Sequence, residues 1–383
     1  MADTYSYETL KTQYMDFTYP LAQVFIQERD FGENADGFRL SELEVELSCG
    51  FEASAVTFSI YGCYDVTARQ YRMDKLKKYA CLGYPVRVLL GYGSRMTEVF
   101  RGFIAQVSYV SREGDPHHVQ VIAVDVKGMM MSNCYARQLR ADCYSDAVRE
   151  IFTQSAYQQM NSYGIYDRLS IENTPDKRPD GRSGQVSAET IEMVSESDYE
   201  FVVKAAKRFN YEFYVDNGVV IFRKAKGVSG CLIKLGVSAG ILEYDISYDV
   251  TGLVQTIEAR GMDTGSGRVF SASEKYTNKI SMGNRARALI AQTKRVYVDA
   301  GITSAEEAQY RVSSLLEEMA YRLGSLEAEC VGLPELKPGY FIEITGLGEP
   351  ADNRFYLTEV RHFISDTGGF RTRIRGKAAS ITP

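Results

Sequence analysis

The 383-residue chain has no tryptophan, only three histidines and no cysteine pair spaced as C-x-x-C. It also has no apolar run near the roughly 20 residues that a membrane-crossing helix needs. Each absence closes a class of function. With 44 Lys and Arg against 50 Asp and Glu, the net charge is −6; a field of that sign repels a phosphate backbone, so no specific nucleic-acid binding is expected. The N-terminus, MADTYSYETLKTQYMDFTY, has neither a basic n-region nor an apolar core. The expectation is therefore synthesis in the cytoplasm without a signal peptide, and no membrane partner. Cys49, Cys63, Cys81, Cys134, Cys143, Cys231 and Cys330 are odd in number and lack zinc-like spacing. They read as reduced, mostly buried thiols, with neither a disulfide framework nor a metal site. GYG at 91–93 and GSG at 265–267 have neither GxGxxG spacing nor a Walker lysine, so they are turn glycines and no cofactor is expected.

What the chain does have is tyrosine, 27 residues of it. An apolar ring with a polar tip suits protein interfaces, and it suits packing in strand-rich proteins equally well. Strand patterns are abundant. In LSELEVELSCGF, Leu43, Val45 and Leu47 alternate with Glu42, Glu44 and Glu46, the period of a half-buried strand. SAVTFSIYG, YPVRVLLGYG, EVFRGFIAQVSYV and HHVQVIAVDV follow at short intervals, as in an antiparallel barrel or sandwich.

Helical spacing enters between residues 127 and 235. Ser145 is a candidate cap for a helix carrying Val148, Ile151, Phe152 and Ser155, and NTPDKRPDGRSGQ reads as an exposed loop. Ser197 and Glu200 have capping-box spacing ahead of a stripe made by Val202, Ala205, Ala206 and Phe209. Asn210 suits a left-handed helix stop, and Asn217-Gly218 predicts a two-residue hairpin between YEFYVD and VVIFRK. From 236 onward strands resume at ILEYDISYDV and LVQTIEARGM. A longer helix is predicted from Thr303, with Glu306 as capping partner, to Gly324. GSLEAECVG, GYFIEITGLG, RFYLTEVRHFIS and GFRTRIRGKA complete the chain as strands.

Two of the β regions align with each other. Setting Pro85 against Pro338, an offset of 253, also matches Gly93 with Gly346, Arg101 with Arg354, Phe103 with Tyr356 and Val107 with Val360. Such an internal repeat predicts a duplicated barrel. The expected fold is α+β and mainly β, with two tube-like antiparallel β-barrels, at 1–126 and 236–383, flanking a mixed α/β region at 127–235.

Catalytic candidates are few. GVSAG, Gly236 to Gly240, has the spacing of a G-x-S-x-G nucleophile elbow with Ser238 as nucleophile, but a helix must leave the serine and ILEYDISYDV has strand alternation instead. Among the histidines only His362 lies downstream as a base; His117 and His118, adjacent on a strand, point to opposite faces and cannot share one metal. No catalytic residue is therefore assigned. Glu42, Glu44 and Glu46 are either a solvated strand face or the acidic wall of a channel.

Glu196-Ser197-Asp198 followed by Phe201, a short helix, an aromatic strand and a hairpin resembles the ESD-x-x-F stretch of the phage late-control D and VgrG proteins. These are baseplate hubs of contractile tails and type VI secretion spikes. EVFRGFIAQVSYV followed by VQVIAVDVKGMMM is similar to that family's F-x-G-x-I strand and the strand–Asp segment after it. LKPGYFIEITGLG, FYLTEVRHFIS and GFRTRI are similar to its closing barrel, so the resemblance runs from residue 20 to 378. It implies a non-enzymatic homotrimer of a phage tail, tailocin or other contractile injection system, in which each subunit supplies two barrels. The ring would adapt a sixfold inner tube to a threefold central spike, and would be incorporated into a virion or phage-like particle. Expected partners are the chain itself, the inner-tube protein, a spike on a separate polypeptide (the chain stops at Pro383, after the second barrel), the tape-measure protein and other baseplate proteins. Glu196, Ser197, Asp198 and Phe201 are then structural. A serine hydrolase using Ser238 and a glycan- or receptor-binding tail protein are the alternatives.

Overall fold

A computed structural model describes residues 4–33, 36–176, 191–263, 265–281, 285–302, 304–365 and 369–381. The mainly-β, α+β class is as expected. In the N-terminal part, β1 (Pro20–Ile26), β2 (Arg39–Ser48), β3 (Ala55–Tyr61), β4 (Pro85–Tyr92), β5 (Arg95–Arg112) and β6 (Asp115–Val124) pair in the order β2-β3-β6-β5-β4-β1. In the C-terminal part, β7 (Cys231–Leu235), β8 (Ile241–Tyr248), β9 (Gly324–Val331), β10 (Phe341–Ile344), β11 (Asn353–Ser365) and β12 (Gly369–Ala378) pair in the order β8-β9-β12-β11-β10-β7. Strand for strand the two orders correspond. They differ in one direction: β7 runs parallel to β10, whereas β1 runs antiparallel to β4.

The correspondence extends to single residues. β5 and β6 pair Phe103 with Val124 and Ile104 with Ala123, then skip a residue of β5 to pair Gln106 with Ile122. β11 and β12 pair Tyr356 with Lys377 and Leu357 with Gly376, then skip a residue of β11 to pair Glu359 with Arg375. The bulged residues, Ala105 and Thr358, are 253 positions apart, the offset that matched Arg101 with Arg354; the prolines themselves do not correspond, since Phe103 pairs with Pro85 whereas Tyr356 pairs with Phe341, three residues beyond Pro338. A bulge bends a strand at one place and locally increases its twist, so both copies turn at the same point.

One seam joins the copies. β2 pairs antiparallel with β11, from Leu43 opposite Ile364 to Ser48 opposite Glu359, and a 13-stranded sheet results. Leu43, Val45 and Val56 from one copy and Val360, Ile374 and Leu326 from the other share one apolar cluster. Helix α1 (Tyr7–Gln13) follows Tyr5, whose N–H donates to the Leu232 carbonyl at 2.7 Å and ties the N-terminus to the second copy.

The segment between the copies has its own core. In helix α2 (Asp198–Phe209) the Ser197 hydroxyl accepts from the Glu200 N–H at 3.1 Å, while the Glu200 carboxylate accepts from the Ser197 N–H at 2.7 Å. Asn210 closes the helix in the left-handed conformation, φ 57°. Asn217 and Gly218, φ 47° and 77°, turn the hairpin between 211–216 and 219–224, both at the positive φ that such a tight turn needs. Phe201, Val202, Ala205, Ala206 and Phe209 pack with Phe152, Phe213 and Phe222.

Two helix ends depart from the sequence reading. Helix Tyr144–Ile151 starts after Cys143, so Ser145 lies inside it and is not its cap. Its first free N–H groups are met from elsewhere: Asp176 accepts from the Tyr144 N–H at 3.0 Å and Thr174 from the Ser145 N–H at 2.9 Å. It ends at Ile151, and Ser155 opens the next helix, Ser155–Ser162. The expected cap Thr303 lies outside the described residues, as does the predicted loop beyond residue 176. Helix α3 (Ala305–Ala320) is capped by Ser304, which accepts from the Glu307 N–H at 3.2 Å. α3 stops four residues short of Gly324, which instead begins β9. It lies in the long insertion between β8 and β9, packed on a sheet of Thr256–Met262, Val269–Lys275 and Lys294–Val298.

Candidate assembly interface

The family-like motif forms a structural clasp. Asp198 is fully buried and accepts from the Tyr157 hydroxyl at 2.7 Å, Asn133 Nδ2 at 2.8 Å and Arg137 at 3.3 Å. Asn133 Oδ1 in turn accepts from the Asp198 N–H at 2.8 Å. One carboxylate at a helix N-terminus thus anchors the strand 135–138, the helix 155–162 and α2 together, and the helix dipole favours its charge. Burial, reinforced by the hydrogen bond to Asp198, pushes the Tyr157 phenol well above its ordinary range. Phe201 is buried against Tyr144, and Glu196 pairs with Lys204. All four residues make their contacts within the middle unit.

That unit docks on the second copy through a buried polar joint. Glu212, on the hairpin, accepts from Arg223 at 2.6 Å and from the Tyr356 hydroxyl of β11. Arg223 also donates to the Gly339 carbonyl at 2.6 Å. Burial pushes the Glu212 carboxyl up, and the Arg223 guanidinium opposes the shift. Gly339 has φ 86°, and a Cβ there would lie 2.4 Å from the Tyr214 hydroxyl, so only glycine fits. Lys337 reaches Asp216 at 2.7 Å beside it. Sequence reasoning missed this joint and the buried Asp125–Lys127 and Tyr14–Glu335 pairs. The available signal was a carboxylate inside an otherwise buried strand, as in YEFYVD.

The second copy and β2 also present a charged face. Glu44 and Glu46 both pair with Arg361, the first at 3.1 Å. Arg375 bridges Glu327 at 3.2 Å and Glu359 at 3.0 Å, and Arg373 pairs with Glu329 at 2.8 Å. Glu243 and Asp245 of β8 line the same groove. Glu42, at a bulge with φ 56°, accepts from the Ser59 hydroxyl at 3.2 Å. At the positions matching those of β9, β11 and β12 the first copy is neutral: Thr57, Ser59, Gln106, Ser108, Gln120 and Ile122.

The other candidates are not brought together. Ser238 sits in a turn between β7 and β8, where the Gly236 N–H and the Ala239 carbonyl bond across it; a strand leaves the serine where the elbow requires a helix. His362 is buried within β11 between Thr372 and the Leu336 carbonyl. His117 stacks on Tyr64 at 4.0 Å while His118 is buried next to Tyr61, so the two point apart. All seven cysteines are unpaired, and burial pushes the Cys49 and Cys330 thiols up to about 12. Among the described residues, no three His, Cys, Asp or Glu side chains are grouped to hold a metal, and no helix is long and apolar enough to cross a membrane.

Among solved structures, the fold is shared with a tail protein from Neisseria meningitidis, at 13% identity and TM-score 0.65, covering 95% of this chain and 98% of that one. It is shared with the 43 kDa tail protein of prophage MuSo2 from Shewanella oneidensis, at 13% identity and TM-score 0.64, covering 94% and 98%. A component of the E. coli type VI secretion system is also similar, at 10% identity and TM-score 0.54, covering 92% and 76%. At these identities the likeness is one of fold, and it is the fold that the resemblance to hub proteins implied. No curated protein matches the sequence. The family model of the Alg8 N-terminal domain matches residues 64–366.

Proposed function

The chain belongs to the Alg8 N-terminal domain family, and from that premise we propose that it is a structural baseplate hub of a contractile tail or phage-like injection system. Three copies form a ring that adapts a sixfold inner tube to a threefold central spike. The observation that carries this reading is the duplication. One chain holds two six-stranded units with the same strand order, register and bulge, set side by side. Three such chains around an axis offer six similar units without needing six chains. The shared fold with two tail proteins and a secretion-system component supports the same reading.

In this role the protein works by position, without catalysis. One face of the ring docks the inner tube and the other seats the central spike, with the tape-measure protein and other baseplate proteins as neighbours. The two β units share one sheet and one apolar cluster, and the α/β region docks on the second through the Glu212–Arg223–Tyr356 joint. The face carrying Glu42, Glu44 and Glu46 is the lumen wall, where excess carboxylate keeps DNA or protein cargo from adhering. Charge-reversed variants of these glutamates that assembled and ejected normally would remove that assignment.

The test of the hub reading is the mass in solution together with a low-resolution particle image. A three-chain ring with a six-lobed outline is expected. A stable monomer or a twofold dimer at every concentration would overturn it.

A further inference from the structure

The β2–β11 seam has an unfilled counterpart. β4 covers the edge of β5 only as far as Phe103, and beyond it Gln106 to Ser111 pairs with β6 alone among the described strands. The equivalent stretch of β11, Glu359 to Ile364, is the one that pairs with β2. β8, the equivalent of β2, pairs with β9 on one side and with no described strand on the other. One copy thus has its β2-type edge occupied and its β5-type edge open, and the other copy has the reverse. The two open edges lie on one chain and are the two halves of a single kind of joint.

We propose that the open edge of β5 in one subunit pairs antiparallel with the open edge of β8 in the next, repeating the β2–β11 seam between chains. The partner is a second copy of this chain, and the proposal rests on the ring reading above, for which it names the contact. The internal seam also fixes the register. Glu44 opposite Thr57 corresponds to Asp245 opposite Glu327, so residues of β2 map onto β8 as those of β11 map onto β5. Transferring Leu47–Val360, Glu46–Arg361, Val45–His362 and Leu43–Ile364 sets Val107 against the neighbour's Tyr248, Ser108 against its Ser247, Tyr109 against its Ile246 and Ser111 against its Tyr244.

The side chains agree with a register derived from backbone pairing alone. Val107 and Tyr109 share a face that meets Tyr244, Ile246 and Tyr248, making one apolar and aromatic side, as Val360 and His362 meet Leu43, Val45 and Leu47 inside the chain. On the other side small serines oppose each other, and Arg112 comes level with Glu243. Exposure marks the vacancy. Tyr109 and Tyr244 are 49% and 47% exposed, whereas their counterparts His362 and Leu43 are 0% and 1%. A long edge with exposed aromatic residues is a template for pairing, and a head-to-tail joint of this kind closes into a ring when the rotation allows.

The test uses the full chain carrying Ser108→Cys and Ser247→Cys, which the register places opposite each other at small, non-core positions. Under mild oxidation the double variant is expected to give a covalent ladder that stops at three chains. Neither single variant should give it, nor should the pair Gln106→Cys with Ser247→Cys, two residues out of register. Tyr109→Asp should weaken assembly at least tenfold while leaving far-UV circular dichroism unchanged, because its ring is half exposed in the separate chain. The mass of the unmodified protein is read independently. A trimer without in-register cross-linking, or with equal cross-linking by the displaced pair, overturns this contact and leaves the ring standing. A protein that stays monomeric overturns the ring and the contact together.

Discussion

Protonating His362 provides a direct measure of how the second copy is held together. The residue is completely buried on β11. Its Nε2 lies 3.2 Å from the Leu336 carbonyl, which only accepts, so Nε2 carries the proton. Nδ1, 2.9 Å from Thr372 Oγ1, then accepts from that hydroxyl, and the same oxygen accepts from the Leu333 N–H at 3.0 Å. A second proton would put a charge in the core and turn Nδ1 into a donor facing a hydroxyl already committed to donating. Burial accordingly lowers the imidazole from 6.5 to about 4, with the Leu336 carbonyl opposing the shift. The unfolded chain therefore takes up a proton that the folded chain refuses. Above pH 6.5 the residue leaves stability independent of pH; between pH 6.5 and about 4 stability falls as acid is added, and below about 4 this contribution is flat. The loss totals about 3 kcal/mol at roughly 1.4 kcal/mol per pH unit. Urea unfolding of the wild type and of His362→Gln from pH 8 to pH 4 isolates it. Glu212, Glu335 and Asp125, whose carboxyls burial pushes up, contribute with the opposite sign and cancel in the difference. The stability gap between the two proteins should shift by about 3 kcal/mol in favour of His362→Gln across this window. A gap constant to within about 0.5 kcal/mol would mean that the imidazole is neither buried nor neutral as described.

Asp198→Ala should cost about 3 to 5 kcal/mol, since it removes a buried charged acceptor and strands the Tyr157 hydroxyl and Asn133 amide. Denaturant titration showing a loss below about 1 kcal/mol would sink the clasp assignment. Gly339→Ala should cost about 3 kcal/mol from a positive φ combined with the clash at Tyr214. Proteolysis should then cut first at the junction between the hairpin 211–224 and β10, and an unchanged melting temperature would argue against that joint.

Legibility in the sequence follows the range of the interactions. The Ser197–Glu200 box, the Asn210 stop, the Asn217-Gly218 turn and the Leu43/Val45/Leu47 alternation are decided by neighbours within a few residues, and each formed where the local pattern placed it. The offset of 253 was legible along β5 and β11, where Arg101 and Arg354, Phe103 and Tyr356, and Val107 and Val360 survive at equivalent positions; the matched prolines misled, because β4 and β10 correspond three residues out of that offset. Ser145 misled because a capping residue type carries no information about rivals: Thr174 and Asp176, close to 30 residues away, took the helix N-terminus instead. The partners of Asp198, 41 and 65 residues away, and the bond between Tyr14 and Glu335, 321 residues apart, have no local signature. The β2–β11 seam was illegible for the same reason. Alternation fixes which face of a strand is buried, but it does not name the strand lying alongside.

Duplication also changes what each seam has to withstand. In a ring of six identical chains every joint is the same, and no joint can be altered without altering all six. With two copies fused, the internal seam is held at high effective concentration by the chain itself. Its core side is apolar, with Leu43, Val45 and Leu47 against Val360, and its other side carries exposed ion pairs such as Arg361 with Glu44 and Glu46, each worth less than about 1 kcal/mol in water. In the proposed ring the joint between subunits has no such tether and must supply its own association free energy. Apolar and aromatic burial is the stronger source of it, and Tyr109, Tyr244, Ile246 and Tyr248 stand along the two open edges where that burial would occur. A joint between subunits held by exposed charge alone would dissociate in salt.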